Sequence, residues 1–226
     1  MDPTTDDRQP FADRREAGAA LADRLQAYAG RDDVVVLALP RGGVPVAHEV
    51  ARKLGAPLDV FLVRKLGLPG HPELAMGAIA SGGVRVINAD VAGWYRLSQS
   101  TIDEAARLEQ IELERRERAY RGSRPPIELH GRTVIIVDDG LATGASMRAA
   151  VQAVRARQPA RVVVAVPVGA VDVCRAFERI ADEAICVRTP MPFSAVGLWY
   201  RDFSQTSDEE VRRLLSHGSE TASNDR

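Results

Sequence analysis

The chain has 226 residues, 45% hydrophobic and 27% charged, with 30 Lys and Arg against 31 Asp and Glu for a formal net charge of −1. That length and apolar content can bury one sizeable core, and the balanced charge argues against a nucleic-acid footprint. No apolar run approaches the roughly 20 residues of a membrane span.

The ends, 1–10 and 216–226, are rich in Asp, Ser, Thr and Asn and read as disordered tails. They flank a single expected domain over 11–215. The start is polar and acidic with no apolar leader core, so a cytoplasmic protein is expected. Ala17, Ala20, Leu21, Leu25 and Tyr28 recur at helical spacing before Gly30, which predicts a helix within 11–28. Val34 to Leu39 is a short apolar run. It is followed by Pro40-Arg41-Gly42-Gly43 and a helical segment over 44–54, which makes a strand, a glycine loop and a helix.

A second apolar run spans 58–63 and ends in Arg64-Lys65. The stretch beyond, punctuated by Gly67, Pro69, Gly70 and Pro72, has no periodicity and reads as a mobile loop over 67–76. Gly77 to Ala80 and Val84 to Ile87 flank Ser81-Gly82-Gly83, as in a hairpin at the base of a lid over about 64–88. Thr101 with Glu104 offers a capping box. The pairs Glu112/Arg116, Glu114/Arg118 and Glu117/Arg121 predict a charged, solvated helix over 101–120.

After Pro125-Pro126 the alternation resumes: strand 134–137, helix 146–157, strand 162–166, helix 171–180, strand 184–187. Alternating strands and helices imply parallel pairing through right-handed crossovers, with ligands at the carboxyl ends of the strands near a switch in strand order. Cys174 and Cys186 are too few and too widely spaced for a disulfide framework or a zinc site, and read as small core residues in a reducing compartment.

The most informative segment is Val134-Ile135-Ile136-Val137-Asp138-Asp139-Gly140-Leu141-Ala142-Thr143-Gly144-Ala145-Ser146. Two carboxylates ending a buried strand are costly unless they meet donors, and a vicinal diol such as the 2′ and 3′ hydroxyls of ribose supplies them. Downstream, Gly144 lets the backbone curl, Thr143 and Ser146 present hydroxyls, and the free N–H groups of the next helix suit a phosphate dianion. A triphosphatase would also need a glycine loop ending in Gly-Lys-Ser/Thr, and the chain has no Gly-Lys pair. A phosphoacceptor receiver would carry its acidic cluster near the N-terminal strand and a strand-end lysine, which is not evident after Val166.

Val-Asp-Asp-Gly-Leu-Ala-Thr-Gly-Ala-Ser resembles the 5-phosphoribosyl-1-pyrophosphate (PRPP) signature of the type I phosphoribosyltransferases, and the likeness extends over about 34–202. The resemblance implies a doubly wound parallel α/β core with a small hood and a flexible lid, Mg2+ as cofactor, a nitrogenous base as acceptor and a homodimer. It places the ribose on Asp138 and Asp139 and the 5-phosphate on Leu141, Ala142, Thr143, Gly144, Ala145 and Ser146. Pro40, Arg41, Gly42 and Gly43 look like the pyrophosphate loop, with the glycines allowing close approach and unusual dihedrals. Lys65, Arg64 and Arg41 become the catalytic cations. Trp199, Tyr200 and Asp202 become the base-side candidates, an aromatic ring stacking on the heterocycle. Mg2+ would travel largely on substrate oxygens, with Asp138 and Asp139 as its protein neighbours and no dedicated site.

Enzymes acting on 6-oxopurines carry an Asp where this chain has Ala142, which makes hypoxanthine or guanine less suited. Two other classes stay open: a PRPP-binding regulator with little turnover, and a hydrolase using the acidic pair, which would need further metal ligands that the sequence does not show.

Overall fold

The computed structural model of the chain describes residues 9–68, 70–95 and 97–220. Helix α1 (Arg14–Arg24) leads into strand β1 (Val34–Ala38), helix α2 (Gly43–Leu54) and strand β2 (Leu58–Val60). An insertion follows, made of β3 (Val63–Leu68), β4 (His71–Ala80), β5 (Val84–Ile87), α3 (Ala89–Trp94) and the long α4 (Gln99–Arg121). The alternation then resumes with β6 (Thr133–Val137), α5 (Ala145–Arg155), β7 (Arg161–Val168), α6 (Val171–Phe177) and β8 (Glu183–Arg188), and α7 (Asp208–Glu220) closes the fold.

Strands β1, β2, β6, β7 and β8 form one parallel sheet in the order β2-β1-β6-β7-β8. Side chains alternate between its two faces. Val34, Val36, Ala38, Ile135 and Val137 point into a core with α1, α2 and α7. Val35, Leu37, Val134, Ile136 and Val164 face α5 and α6 through Met147, Val151, Val154 and Phe177. Because both faces are covered, the strands are continuous apolar runs rather than alternating ones, as a parallel sheet requires. The chain steps from β1 to β2 on one side and from β2 across to β6 on the other, so the switch in strand order falls between β1 and β6.

The insertion forms a separate antiparallel sheet, β3-β4-β5. Its Ser81-Gly82-Gly83 turn, with φ of +80° and +76° at the glycines, matches the expected hairpin. The mobile loop expected over 67–76 is instead mostly strand: β3 and β4 pair from Val63↔Ala80 out to Leu68↔His71. The Gly and Pro residues that hid the pattern coincide with register shifts between Leu66 and Leu68. Pro69 lies outside the described residues.

Other expectations need correction. The run 58–63 is split between β2 and β3. The cap of α4 is Ser98, whose hydroxyl accepts from the Thr101 N–H at 3.2 Å, rather than Thr101 itself. The three charge pairs on α4 do form, at 2.8, 3.2 and 3.8 Å. The expected tail, 216–226, is helical to Glu220 as the end of α7, whose preceding residues Val211 and Leu215 are fully buried against α2, and 221–226 lie outside the described residues. So do 1–8 of the N-terminal tail. Cys174 and Cys186 are disulfide-bonded: α6 turns back onto β8 and brings their Cα atoms to 6.4 Å, which spacing along the chain could not reveal.

Candidate functional site

Parallel strands β1 and β6 run in register, Ala38 beside Val137, so the loops leaving them share one edge of the sheet. The Leu39 N–H donates to the Val137 carbonyl at 2.9 Å and carries Pro40-Arg41-Gly42-Gly43 over the first residues beyond β6. A Cβ on Gly42 would stand 2.0 Å from Asp139 Oδ2, and one on Gly43 would stand 2.8 Å from the Val137 carbonyl oxygen. The glycines are therefore required for close approach. The backbone of Gly42 is ordinary right-handed helix, φ −60° and ψ −33°, so the unusual dihedrals expected there are not used.

Asp138 and Asp139 sit at the crevice between these loops. The Asp139 N–H donates to Asp138 Oδ1 at 2.8 Å. Arg14, from the first turn of α1, reaches Asp139 Oδ2 with Nε and Nη2, both at 2.9 Å, and gives Nη1 to the Ser204 carbonyl at 2.7 Å. Its guanidinium stacks 4.0 Å from the centroid of the Phe203 ring. Among the described residues no ion pair reaches Asp138. Desolvation first, then the neighbouring Asp139 charge, pushes its carboxyl well above the usual carboxylate range. Desolvation also raises Asp139, and Arg14 opposes it.

Beyond the acids the chain tightens. A Cβ on Gly140 would lie 2.4 Å from the Val196 side chain, and Leu141 bridges to Gly169 after β7. Gly144 caps α5 in the left-handed conformation, φ +71°, with no side-chain cap bond. Ala142, Thr143, Ala145 and Ser146 are exposed around it. At the start of α5 the Ala145 N–H donates to the Thr143 hydroxyl at 3.5 Å.

The two strand-end cations part company. Arg64 is ion-paired with Glu109 on α4. Lys65, one residue on and so on the opposite face of β3, lines a cavity of about 550 Å³ between the insertion sheet and α5, together with Ser146 and Arg148. Arg41, at the tip of the β1 loop, meets Asp208 at 3.5 Å, and Tyr120 donates to the same carboxylate at 2.8 Å. That bond, after burial, pushes the Tyr120 hydroxyl up to about 12.

A hood is built from both flanks of the chain. The Phe11 N–H donates to the Trp199 carbonyl at 2.9 Å, and the Arg201 and Asp202 N–H groups donate to Phe11 and Ala12 at 2.8 and 2.9 Å. Tyr200 is buried against Phe11 and Phe203, and its hydroxyl donates to the Asp139 carbonyl at 2.5 Å. Burial and the Asp139 charge raise its pKa. Trp199 is partly buried in a 3-10 turn over Val196–Trp199, and the exposed Asp202 carboxylate accepts the Ser204 N–H at 2.9 Å. Sequence reasoning missed Arg14, Phe203 and Asp208. Arg14 stands 125 positions from its partner, and no local pattern flags it.

An acidic pair, a glycine loop and the start of a helix meet at the switch point of a parallel sheet, and the architecture is that of the type I phosphoribosyltransferase fold class. The chain belongs to that family: residues 12–190 match the phosphoribosyl transferase domain. Two curated Mycobacterium tuberculosis proteins named as candidate phosphoribosyl transferases are 53% identical over 205 residues, 91% of this chain and 46% of each of them. The chain therefore spans about half the length of the curated relatives it matches. The crystal structure of the Thermus thermophilus protein TT1426 superposes with a TM-score of 0.82 at 45% identity, covering 92% of this chain and 99% of that one. The bifunctional protein PyrR of Chloroflexus aurantiacus is 32% identical over 131 residues, 56% of this chain and 65% of its own. Among the described residues no helix is long and apolar enough to cross a membrane.

Proposed function

We propose that the chain transfers 5-phosphoribosyl from PRPP to a nitrogenous base and releases pyrophosphate. The observation that carries the reading is the acid pair at the end of β6 followed within one short loop by the start of α5, whose Ser146 lines a cavity with Lys65. In this reading the acids meet the ribose hydroxyls, and Leu141 to Ser146 enclose the 5-phosphate with backbone N–H groups. Arg41 and the backbone at Gly42 and Gly43 grip the pyrophosphate. Lys65 approaches the 5-phosphate and pyrophosphate from the insertion sheet and offsets charge on the leaving group, while Arg64, tied to Glu109, shapes that sheet. Trp199, Tyr200 and Asp202 of the hood serve the base side in this reading.

Mg2+ fits the donors present. The acid pair is an all-oxygen set suited to a hard cation, and among the described residues no cluster of three or more His, Cys, Asp or Glu competes for it. When bound with PRPP, the ion would supply charge neutralisation on the departing pyrophosphate. The chain's own groups orient the sugar and exclude water.

A second reading, PRPP binding with little turnover, is favoured by one feature: the methyl group of Ala142 stands exposed where a base-side acid would be expected. A cytoplasmic location and a homodimer accompany either reading. Calorimetric titration with PRPP and Mg2+, followed by pyrophosphate release across a panel of purine, pyrimidine and pyridine bases, tests both. Release with one base supports transfer, and binding without release supports the regulator. Absence of binding at millimolar PRPP contradicts both.

A further inference from the structure

Helix α4 is apolar on two sides. Its inner side, Ile102, Ala106, Leu113 and Tyr120, is buried in the core. Leu108 and Ile111 lie half a turn away and stay open to solvent, with exposures of 55% and 56%. They share one stripe with Glu104 and Arg115, because positions 104, 108, 111 and 115 recur at the alternating steps of four and three that make a helix-pairing seam. Pairing within a solvated helix accounts for the charges around this stripe: Glu104 with Arg107 at 2.8 Å, Glu112 with Arg115 at 2.7 Å and Glu114 with Arg118 at 3.2 Å. It does not account for two large aliphatic side chains at the centre.

The order of charge along the stripe says what covers it. Acids come first, Asp103 and Glu104, and bases last, Arg115 and Arg118, with Leu108 and Ile111 between them. A second copy of α4, laid antiparallel about a two-fold axis between Leu108 and Ile111, sets Leu108 against the partner's Ile111. Glu104 then faces the partner's Arg115, Arg107 the partner's Glu114, and Asp103 the partner's Arg118. Each of these pairs is of opposite sign, and each occurs twice by symmetry. A parallel copy in register would put Glu104 on the partner's Glu104 and Arg115 on the partner's Arg115, so the charges admit one orientation and reject the other.

We propose that the outer face of α4 is the self-association surface of this chain, an antiparallel seam between two copies centred on Leu108 and Ile111. This rests on the homodimer of the reading above, gives it a place in the fold, and needs nothing from the sugar site. Arg64 meets Glu109 of α4, while its neighbour Lys65 lies on the other face of β3 and lines the cavity there. The cavity therefore stays open when two α4 helices meet, and the two insertions are joined back to back. From Thr101 to Arg118 the seam runs about 26 Å. With only two aliphatic side chains from each copy at its centre it is a small interface, so association falls in the micromolar range.

Sedimentation equilibrium of the full chain from about 1 to 500 µM tests the seam. Wild type is expected to pass from one chain to two across that range. Leu108→Gln with Ile111→Gln should leave the chain monomeric throughout, a loss of about 100-fold or more, with an unchanged thermal midpoint because both side chains are exposed. Glu104→Arg and Arg115→Glu should each weaken the dimer by about 10-fold. Combined in one chain they restore opposite pairs and should return to within about threefold of wild type, a recovery that mere damage to the helix would not produce. A wild type that stays monomeric at every concentration, or a dimer that survives the Gln pair, overturns the proposal. Calorimetric titration of wild type with PRPP reads the transfer activity's site separately: a dimer that binds no PRPP defeats that reading and leaves the seam standing, and a monomer that binds PRPP does the reverse.

Discussion

At the residue scale, Asp138 makes the site a place of stored electrostatic cost. Its carboxyl is raised above the ordinary carboxylate value by desolvation and by Asp139, so the folded chain binds that proton more tightly than the unfolded chain does. Stability is therefore present below the unfolded carboxylate pKa and lost as pH rises through the folded value. Asp138→Asn removes the charge, so the variant should melt above wild type at pH 7–8, with the difference shrinking towards pH 4. Melting curves over that range check it, and a variant that melts lower at neutral pH would contradict the assignment. Gly144 belongs to the same scale. A side chain there meets the Phe177 ring at 2.7 Å and must adopt φ +71°, so Gly144→Val should cost about 2–4 kcal/mol by chemical denaturation and disturb the turn that leads into α5. The acid pair and Gly144 were legible in sequence because each requirement is local. Arg14 was not, because its meaning exists only once α1 packs across the sheet edge.

At the element scale, what could be read depended on whether burial was one-sided. Strands β1 and β6 announced themselves as unbroken apolar runs because helices cover both faces. The β3–β4 hairpin was misread because Gly67, Gly70 and Pro72 usually break order, yet β3 and β4 pair out to Leu68↔His71 with α4 and α5 packed against them. Helix α7 escaped notice because its apolar stripe is only Val211, Leu214 and Leu215 in a polar, acidic stretch. The signal was present all the same, with Ser207 accepting the Glu210 N–H at 3.1 Å as a cap. Since Leu215 is fully buried, Leu215→Ala should destabilise by about 2–5 kcal/mol. An α7 that did not pack on the core would register nothing, so urea unfolding separates the two.

For the whole molecule, alternation along the chain was enough to foresee a doubly wound sheet and the edge that carries the site. It could not foresee how distant segments are fastened. The α6–β8 disulfide closes a loop of 12 residues. In oxidised protein Cys186→Ser should therefore lower stability by about 3 kcal/mol. Reduction of the wild type should reproduce that loss, and a reduced protein of undiminished stability would show that packing alone holds α6 to β8.

The hood is fastened differently, through main-chain bonds between Phe11, Ala12, Trp199, Arg201 and Asp202. That clasp, with the buried Phe11 and Tyr200 rings beneath it, makes no demand on the exposed side chains around it. Exposed neighbours such as Met191 and Leu198 can therefore be replaced while the roof keeps its shape. A library randomised at those two positions should yield variants that melt alike, a separation of architecture from decoration that thermal melts of the pool would read directly.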